Sequence, residues 1–284
     1  KQTMVCEDDV LIMQEYFNQH FHSKAPYIFD ADYFRSVSGF IEQATINDWS
    51  DIFSILWNNN QQLTALFNNI LQQYKQIQFA NELYVGYDAI LRDGAAILDV
   101  KRLHELYDSA SAKPVPAVSL TNGIQNKYTI SSSYLCALTS EVILQLPKEL
   151  VQAKPFLQSS DVLDFPGARA RLDKREEDIV DSTLMPQMLL RGKVAYLFNK
   201  YSDNLMINTL LFCHGKKQAG PRFMPDLLKN WIESFVGIDA TARQLFMQKA
   251  QISPLFVIGT MFNLDLQKDQ NDISGETKSL TARW

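Results

Sequence analysis

Between Ser109 and Pro116 the hydrophobic period of the sequence changes, and this change limits the folds open to it more than any other feature. Before it, apolar residues return at helical spacing: Val10, Met13, Phe17 and Phe21; Phe34, Val37, Phe40 and Ile41; Trp49, Ile52, Phe53 and Leu56; Leu63, Leu66, Phe67, Ile70, Leu71 and Tyr74. That recurrence lines one face of a 3.6-residue helix, so the first half predicts a helical bundle. Asp30 and Asn47 stand where side-chain oxygens can cap the second and third helices, and Pro26 separates the first two. The amide-rich stretches 58–62 and 72–78 predict solvated helix faces, because apolar residues interrupt them at helical period.

After the Pro114-Val115-Pro116 stretch the pattern becomes strand-like. Val115 to Leu120 and Lys127 to Ile130 flank Thr121-Asn122-Gly123, and an Asn-Gly pair supplies the positive φ angles of a tight hairpin turn. A helix carrying Leu135, Leu138, Val142 and Leu146 is expected next. Short apolar strands then alternate with helices: strand 161–163, helix 188–201, strand 207–213, helix 225–235 ended by Gly237, helix 240–249 and strand 255–259. Such alternation predicts crossover units on a largely parallel sheet. The expected class is α/β, with a helical domain over residues 1–110 and an α/β domain over residues 111–284.

A protein of 284 residues, 46% apolar and 21% charged, has material for about two packed domains. A net charge of −5 leaves no electrostatic footprint for nucleic acid or an anionic membrane, so neither is expected as a partner. Cys6, Cys136 and Cys213 have neither the density of a disulfide scaffold nor the spacing of a zinc site, which points to a reducing, cytoplasmic setting. The apolar runs fall short of the ~20 residues a membrane helix requires, and no insertion is expected. The opening at Lys1 suggests an excised fragment of a longer protein.

The most suggestive chemistry lies in Asp164-Phe165-Pro166-Gly167. In GTPases an Asp-x-x-Gly at a strand end holds Mg²⁺ through the carboxylate, and its glycine amide reaches the γ-phosphate. By residue frequency about one such match should occur by chance in a sequence this long, and Asp272-Ile273-Ser274-Gly275 is a second. The other reading of Asp164 is a turn in which aspartate caps local amides and Pro-Gly makes the bend. No Gly-x-x-x-x-Gly-Lys-Ser/Thr occurs, and Gly192-Lys193 lacks both the leading glycine and the hydroxyl residue. Arg169 and Arg171 could meet a phosphate or an acidic partner; the nearby Asp173, Glu176, Glu177 and Asp178 fit a solvated loop instead.

The segments Leu163-Asp164-Phe165-Pro166-Gly167-Ala168-Arg169, Leu190-Arg191-Gly192-Lys193-Val194-Ala195-Tyr196-Leu197-Phe198 and Thr209-Leu210-Leu211-Phe212-Cys213 resemble the SrfC-like family of putative bacterial virulence factors. Phe53-Ser54-Ile55-Leu56-Trp57 and Ala137-Leu138-Thr139 are similar too, so the resemblance covers nearly the whole sequence. It implies a bacterial protein whose second half is a partial, P-loop-NTPase-like three-layer domain with a mainly parallel sheet and an antiparallel hairpin. It implies a phosphate-binding segment upstream of these residues. On it Asp164 and Gly167 take the Mg²⁺ and γ-phosphate positions, and Thr260-Met261-Phe262-Asn263 matches the base-reading Thr-Lys-x-Asp. There Met261 lacks the lysine's charge and Asn263 offers one acceptor where aspartate offers two.

Other constellations are thin. Cys213 and His214 are strand neighbours and point to opposite faces, so Cys213 reads as a buried strand cysteine. His20 and His22 diverge on a helix, and no metal site is expected. Trp49, Trp57 and Trp231 read as core. The expectation is a virulence-associated piece with a degenerate or incomplete GTPase-like core, not catalytic in isolation, needing no cofactor by itself and acting on a protein partner. Mg-nucleotide enters only with the full-length protein. The alternatives are a nucleotide hydrolase whose phosphate loop lies upstream and a structural scaffold that has lost nucleotide binding.

Overall fold

The computed structural model describes residues 5–21, 31–106, 112–164, 184–214 and 224–260. By compactness the protein divides into Lys1–Ser160 with Leu172–Gly192, and Asp161–Arg171 with Lys193–Trp284. Among the described residues no helix is long and apolar enough to cross a membrane.

The first unit opens with helices α1 (Glu7–Phe21), α2 (Ala31–Phe40), α3 (Trp49–Phe53, running on as a 3-10 turn over Ser54–Trp57) and α4 (Gln61–Gln76). Glu7, Asp8 and Asp9 occupy the first turn of α1, where the helix dipole favours negative charge. Asp9 also reaches back to accept from the Cys6 amide at 2.9 Å. Most of the predicted apolar stripes meet in a core of Val10, Phe34, Val37, Ile41, Trp49, Phe53 and Leu71, while Leu63, Leu66 and Ile70 of the fourth stripe pack in a second cluster and Tyr74 packs on the sheet core. Phe40 stays exposed.

Two local readings need correction. Asn47 does not cap α3: the cap position is Asp48, whose carboxylate instead accepts from the Thr45 amide and hydroxyl, both at 2.7 Å. The asparagine run is turn chemistry and not a helix face. Asn58 and Asn59 take left-handed φ of 53° and 54°, which asparagine tolerates better than most side chains. Asn60 then caps α4, accepting from the amides of Gln62 and Leu63 at 3.0 and 3.1 Å.

Strands β1 (Tyr84–Val85), β2 (Pro114–Thr121) and β3 (Ile124–Ser131) form an antiparallel sheet in that order. The turn between β2 and β3 is the expected Asn122-Gly123, with φ of 51° and 79°. One face of β2 buries Val115, Ala117 and Ser119 in alternation. Val115, Ile130 and Leu135 share a core with Ile77, Ala89, Ala95 and Ile97, so this core draws on residues from both sides of position 110. Gly94 closes the loop beneath it; a Cβ there would lie 1.9 Å from the Asp88 carbonyl oxygen.

Helix α5 (Ser132–Leu138) is shorter than expected. Thr139 leaves the helix with extended backbone, and its amide and hydroxyl both return to the Leu135 carbonyl. Ile143 is consequently exposed, and α6 (Lys148–Ala153) and the 3-10 turn Pro155–Gln158 follow with no buried residue.

Helix α7 (Met185–Asp203) is divided by the unit boundary, and Met185 packs with Leu66 in a small core of the first unit. In the second unit follow β4 (Leu210–His214), α8 (Met224–Trp231), a π-helical turn (Ile232–Val236), α9 (Ala240–Lys249) and β5 (Leu255–Gly259). Strands β4 and β5 pair in parallel with Leu210 opposite Leu255 and His214 opposite Gly259. A parallel pair needs a crossover, and α8 and α9 lie in that connection. Gly237, at φ 149°, ends the π turn against Ala242, and the Arg243 guanidinium donates to the carbonyls of Gly237 and Ile238. Positive charge at a helix C-terminus is stabilising, so this arginine helps fix the expected stop.

Candidate functional site

The sequence places its candidate residues in the second unit. Residues 161–163 are not the expected strand: they carry no strand pairing, and they and Asp164 are all exposed. The reason is local, since Val162 and Leu163 are the only apolar pair there and neither is buried. Asp164 is therefore an exposed carboxylate on irregular backbone. Thr260 is half-buried and directly follows β5. Gly167, Arg169, Arg171 and Asn263 lie outside the described residues, as do Met261 and Phe262.

Thr260 stands where α/β folds place chemistry. Ligands in such folds collect at the carboxyl ends of parallel strands, and the pairing of His214 with Gly259 sets the two ends side by side. The polar inventory described at that edge is small: the Thr260 hydroxyl and backbone groups.

The parallel pair shows a second property that sequence reading missed. In register, Leu211 stands opposite Phe256 and Cys213 opposite Ile258. Side chains alternate along a strand, so these four share one face. Leu211 is 58% exposed, Phe256 42% and Ile258 38%. Cys213 is exposed with them, which corrects the expectation of a buried cysteine. Val257, on the opposite face, is 61% exposed. Parallel strands are ordinarily covered on both faces, and their apolar run reflects it. Here the run is present, and among the described residues the cover is not. The missed signal is Leu255-Phe256-Val257-Ile258, a run without alternation that demands burial on both sides.

Within the crossover the aromatic side chains pack on one another. Trp231 is almost fully buried and stacks on Phe235 at 5.4 Å, and Phe235 meets Phe246 edge-on at 5.5 Å. Asp239 caps α9 through the Ala242 amide at 2.8 Å.

In the first unit the titratable groups serve structure. Burial pushes Tyr33 up to about 12 while its hydroxyl donates to the Ile52 carbonyl at 2.7 Å. Tyr74 is raised for the same reason. The hydrogen bonds from the Thr45 side chain and backbone hold Asp48 below the usual carboxylate range. Arg102 and Glu105 form an ion pair on the 3-10 helix Val100–Leu106. A shallow depression of about 360 Å³ lies among Ser54, Asn59, Gln61, Thr64, Ala65 and Asn68, with no charged group in its wall. The Trp57 indole donates to Thr64 beside it at 2.8 Å, and Trp49 and Trp57 belong to or pack on the helical core, as expected of them.

A family model described as "Putative bacterial virulence factor" matches residues 1–284. No curated protein and no solved structure matches the sequence.

Proposed function

The protein belongs to the family of putative bacterial virulence factors along its whole length, and from that premise we propose that it works by docking another protein on the β4–β5 sheet. The observation that carries this reading is the exposed face of Leu211, Cys213, Phe256 and Ile258 on parallel strands. Burying one large apolar side chain stabilises by about 1.5–3 kcal/mol. Covering several is a gross driving force comparable with the ~8 kcal/mol of a micromolar complex, before the cost of association.

A degenerate GTPase-like core is the scaffold we propose for this surface, following the SrfC-like resemblance. Asp164 and Gly167 would then be remnants of a magnesium and phosphate site, and Thr260 and Asn263 remnants of a base-reading segment. A nucleotide hydrolase completed by an upstream phosphate loop is the second reading, favoured by the position of Thr260 at the end of a parallel strand. Tight triphosphate binding needs the amide cradle, the magnesium site and the base reader together.

Two measurements separate the readings. A photo-crosslinking amino acid at Leu211, on the proposed face, in the full protein expressed in the source bacterium, should trap one defined partner. The same probe at exposed Gln125 should not, and Phe256→Asp should abolish the Leu211 product. Equal labelling from both positions sinks the docking surface. Calorimetry with Mg²⁺ and GTP or ATP should show no saturable heat at micromolar protein; tight binding lost in Asp164→Ala would overturn the non-binding core and mean that a phosphate site exists at Asp164.

A further inference from the structure

The hairpin tip carries a chemical site that neither the sheet's packing nor the docking reading uses. Asn122-Gly123 is the sole Asn-Gly pair in the sequence. Both residues are exposed, and nothing lies within 4 Å of where a Cβ on Gly123 would be. The tip therefore leaves room around Gly123 beside an exposed asparagine. We infer that Asn122 is a site of self-modification by deamidation, and that the β2–β3 turn gates it.

The reaction needs no partner except water. The Gly123 amide nitrogen attacks Asn122 Cγ, and the new bond from that nitrogen to Cγ closes a succinimide as the Cγ–Nδ2 bond breaks. Nδ2 leaves as ammonia and takes up the proton lost from the Gly123 nitrogen. Water then opens the ring. Cleavage at Cγ restores an ordinary backbone with aspartate at 122; cleavage at the backbone carbonyl leaves an isoaspartyl link that runs through Cγ. Either product makes the formal net charge, −5 in the unmodified protein, one unit more negative.

Gating follows from the backbone. At φ 51° Asn122 is left-handed, where ψ is restricted to about +30 to +60°. With ψ in that range the Gly123 nitrogen is turned away from Cγ, and the Thr121–Ile124 pair holds it there. Attack requires the tip to open. Opening is local and of low cost, because Leu120 and Ile124 at the strand ends are exposed and anchor nothing, whereas Val115 and Ile130 are in the core. The outcome then differs by product. Asp-Gly suits the same turn, but the isoaspartyl link inserts an extra backbone carbon into a two-residue connection, so Thr121 and Ile124 can no longer oppose each other. The modification therefore locks open the end of the sheet that fraying exposed.

The test is peptide mapping of the whole protein after incubation at mildly alkaline pH, with and without denaturant, following the amide-to-acid mass gain and the isoaspartyl fraction at Asn122. Denaturant should raise the rate at this position at least roughly tenfold, the factor set by the opening equilibrium. The native protein should accumulate the isoaspartyl form slowly, and Asn122→Asp should show no mass gain there while retaining the hairpin. Equal rates with and without denaturant would overturn the gating, and no conversion in denaturant would overturn the site. The rate comparison stands whatever the variant does.

Discussion

The two sheets of this protein use similar residues to opposite ends. In the antiparallel sheet β2 alternates, sending Val115, Ala117 and Ser119 inward while Pro114, Pro116 and Leu120 stay outside. In the parallel pair β5 does not alternate, and Phe256, Val257 and Ile258 are all exposed. An antiparallel hairpin with one apolar face is finished once a core covers that face, and helix α5 and the loop around Gly94 do so here. A parallel pair with apolar residues on both faces is finished only when both are covered. The difference teaches that apolar content does not say where a strand ends up; its period and its pairing do.

The most severe test of this contrast replaces the same residue in both sheets. Ile130→Ala removes a fully buried side chain and should cost about 2–5 kcal/mol, since a closed core collapses only partly around the gap. Ile258→Ala should cost about 1 kcal/mol or less, because more than a third of that residue already faces water. Denaturant midpoints of the two variants measure it. Equal losses would mean that β5 is covered in solution.

A smaller effect sharpens the antiparallel side. In Gly94→Ala the new methyl meets the Asp88 carbonyl, which is backbone and can move only with its loop. Overpacking of this kind costs about 1–3 kcal/mol. The loss should appear as faster amide exchange at Ala95 and Ile97, whose amides bond to Asp88 and Ala89. Unchanged exchange there would show that the loop is not part of the sheet's support.

Much of this architecture is legible in the sequence. The helical stripes, the Asn-Gly turn, α9 and β5 are readable because each rests on local period or local φ. The boundary at Gly237 is readable for the same reason. What escapes needs partners. Residues 161–163 read as a strand and are irregular, because three residues cannot declare a strand without a neighbour to pair with. The helix expected to reach Leu146 stops at Leu138, where Thr139 turns its hydroxyl onto the last turn. Asn47 has the chemistry of a cap, but Asp48 is one residue nearer and uses its carboxylate on Thr45. Of the candidate site, the position of Thr260 after a parallel strand is legible; the exposure of β5 is not, because a sequence marks which residues need cover without showing whether they have it.

On the helical side a comparable one-residue test exists at Asn60. Its side chain takes two amides at the start of α4, and Asn60→Ala should cost about 1 kcal/mol by leaving them to water. Because the left-handed Asn58 and Asn59 precede it, part of the loss should appear as fraying of that turn. Hydrogen exchange at Gln62 and Leu63 reads the effect directly, and no change there would move the start of α4 elsewhere.

The least of these effects is set by pH and again separates the two regions. Tyr33 donates its hydroxyl to the Ile52 carbonyl, and burial raises its ionisation to about 12 from the ordinary 10.0. A phenol is charged when deprotonated, so a raised folded value means that the folded protein holds its proton where the unfolded one has lost it. The stabilisation is fully present below pH 10, falls as pH rises past the unfolded value, and is lost once pH passes about 12. Partial exposure screens the effect to at most on the order of 1 kcal/mol. Tyr74 shifts in the same direction by burial and adds to it. Alkaline titration followed by hydrogen exchange should therefore loosen α2 and α4 between pH 10 and 12 before it loosens β4 and β5. Tyr33→Phe should flatten that slope while lowering stability at neutral pH through loss of the hydrogen bond to Ile52, by about 1 kcal/mol. A variant that kept the full alkaline slope would show that the Tyr33 proton is not what couples this pH range to the helical core.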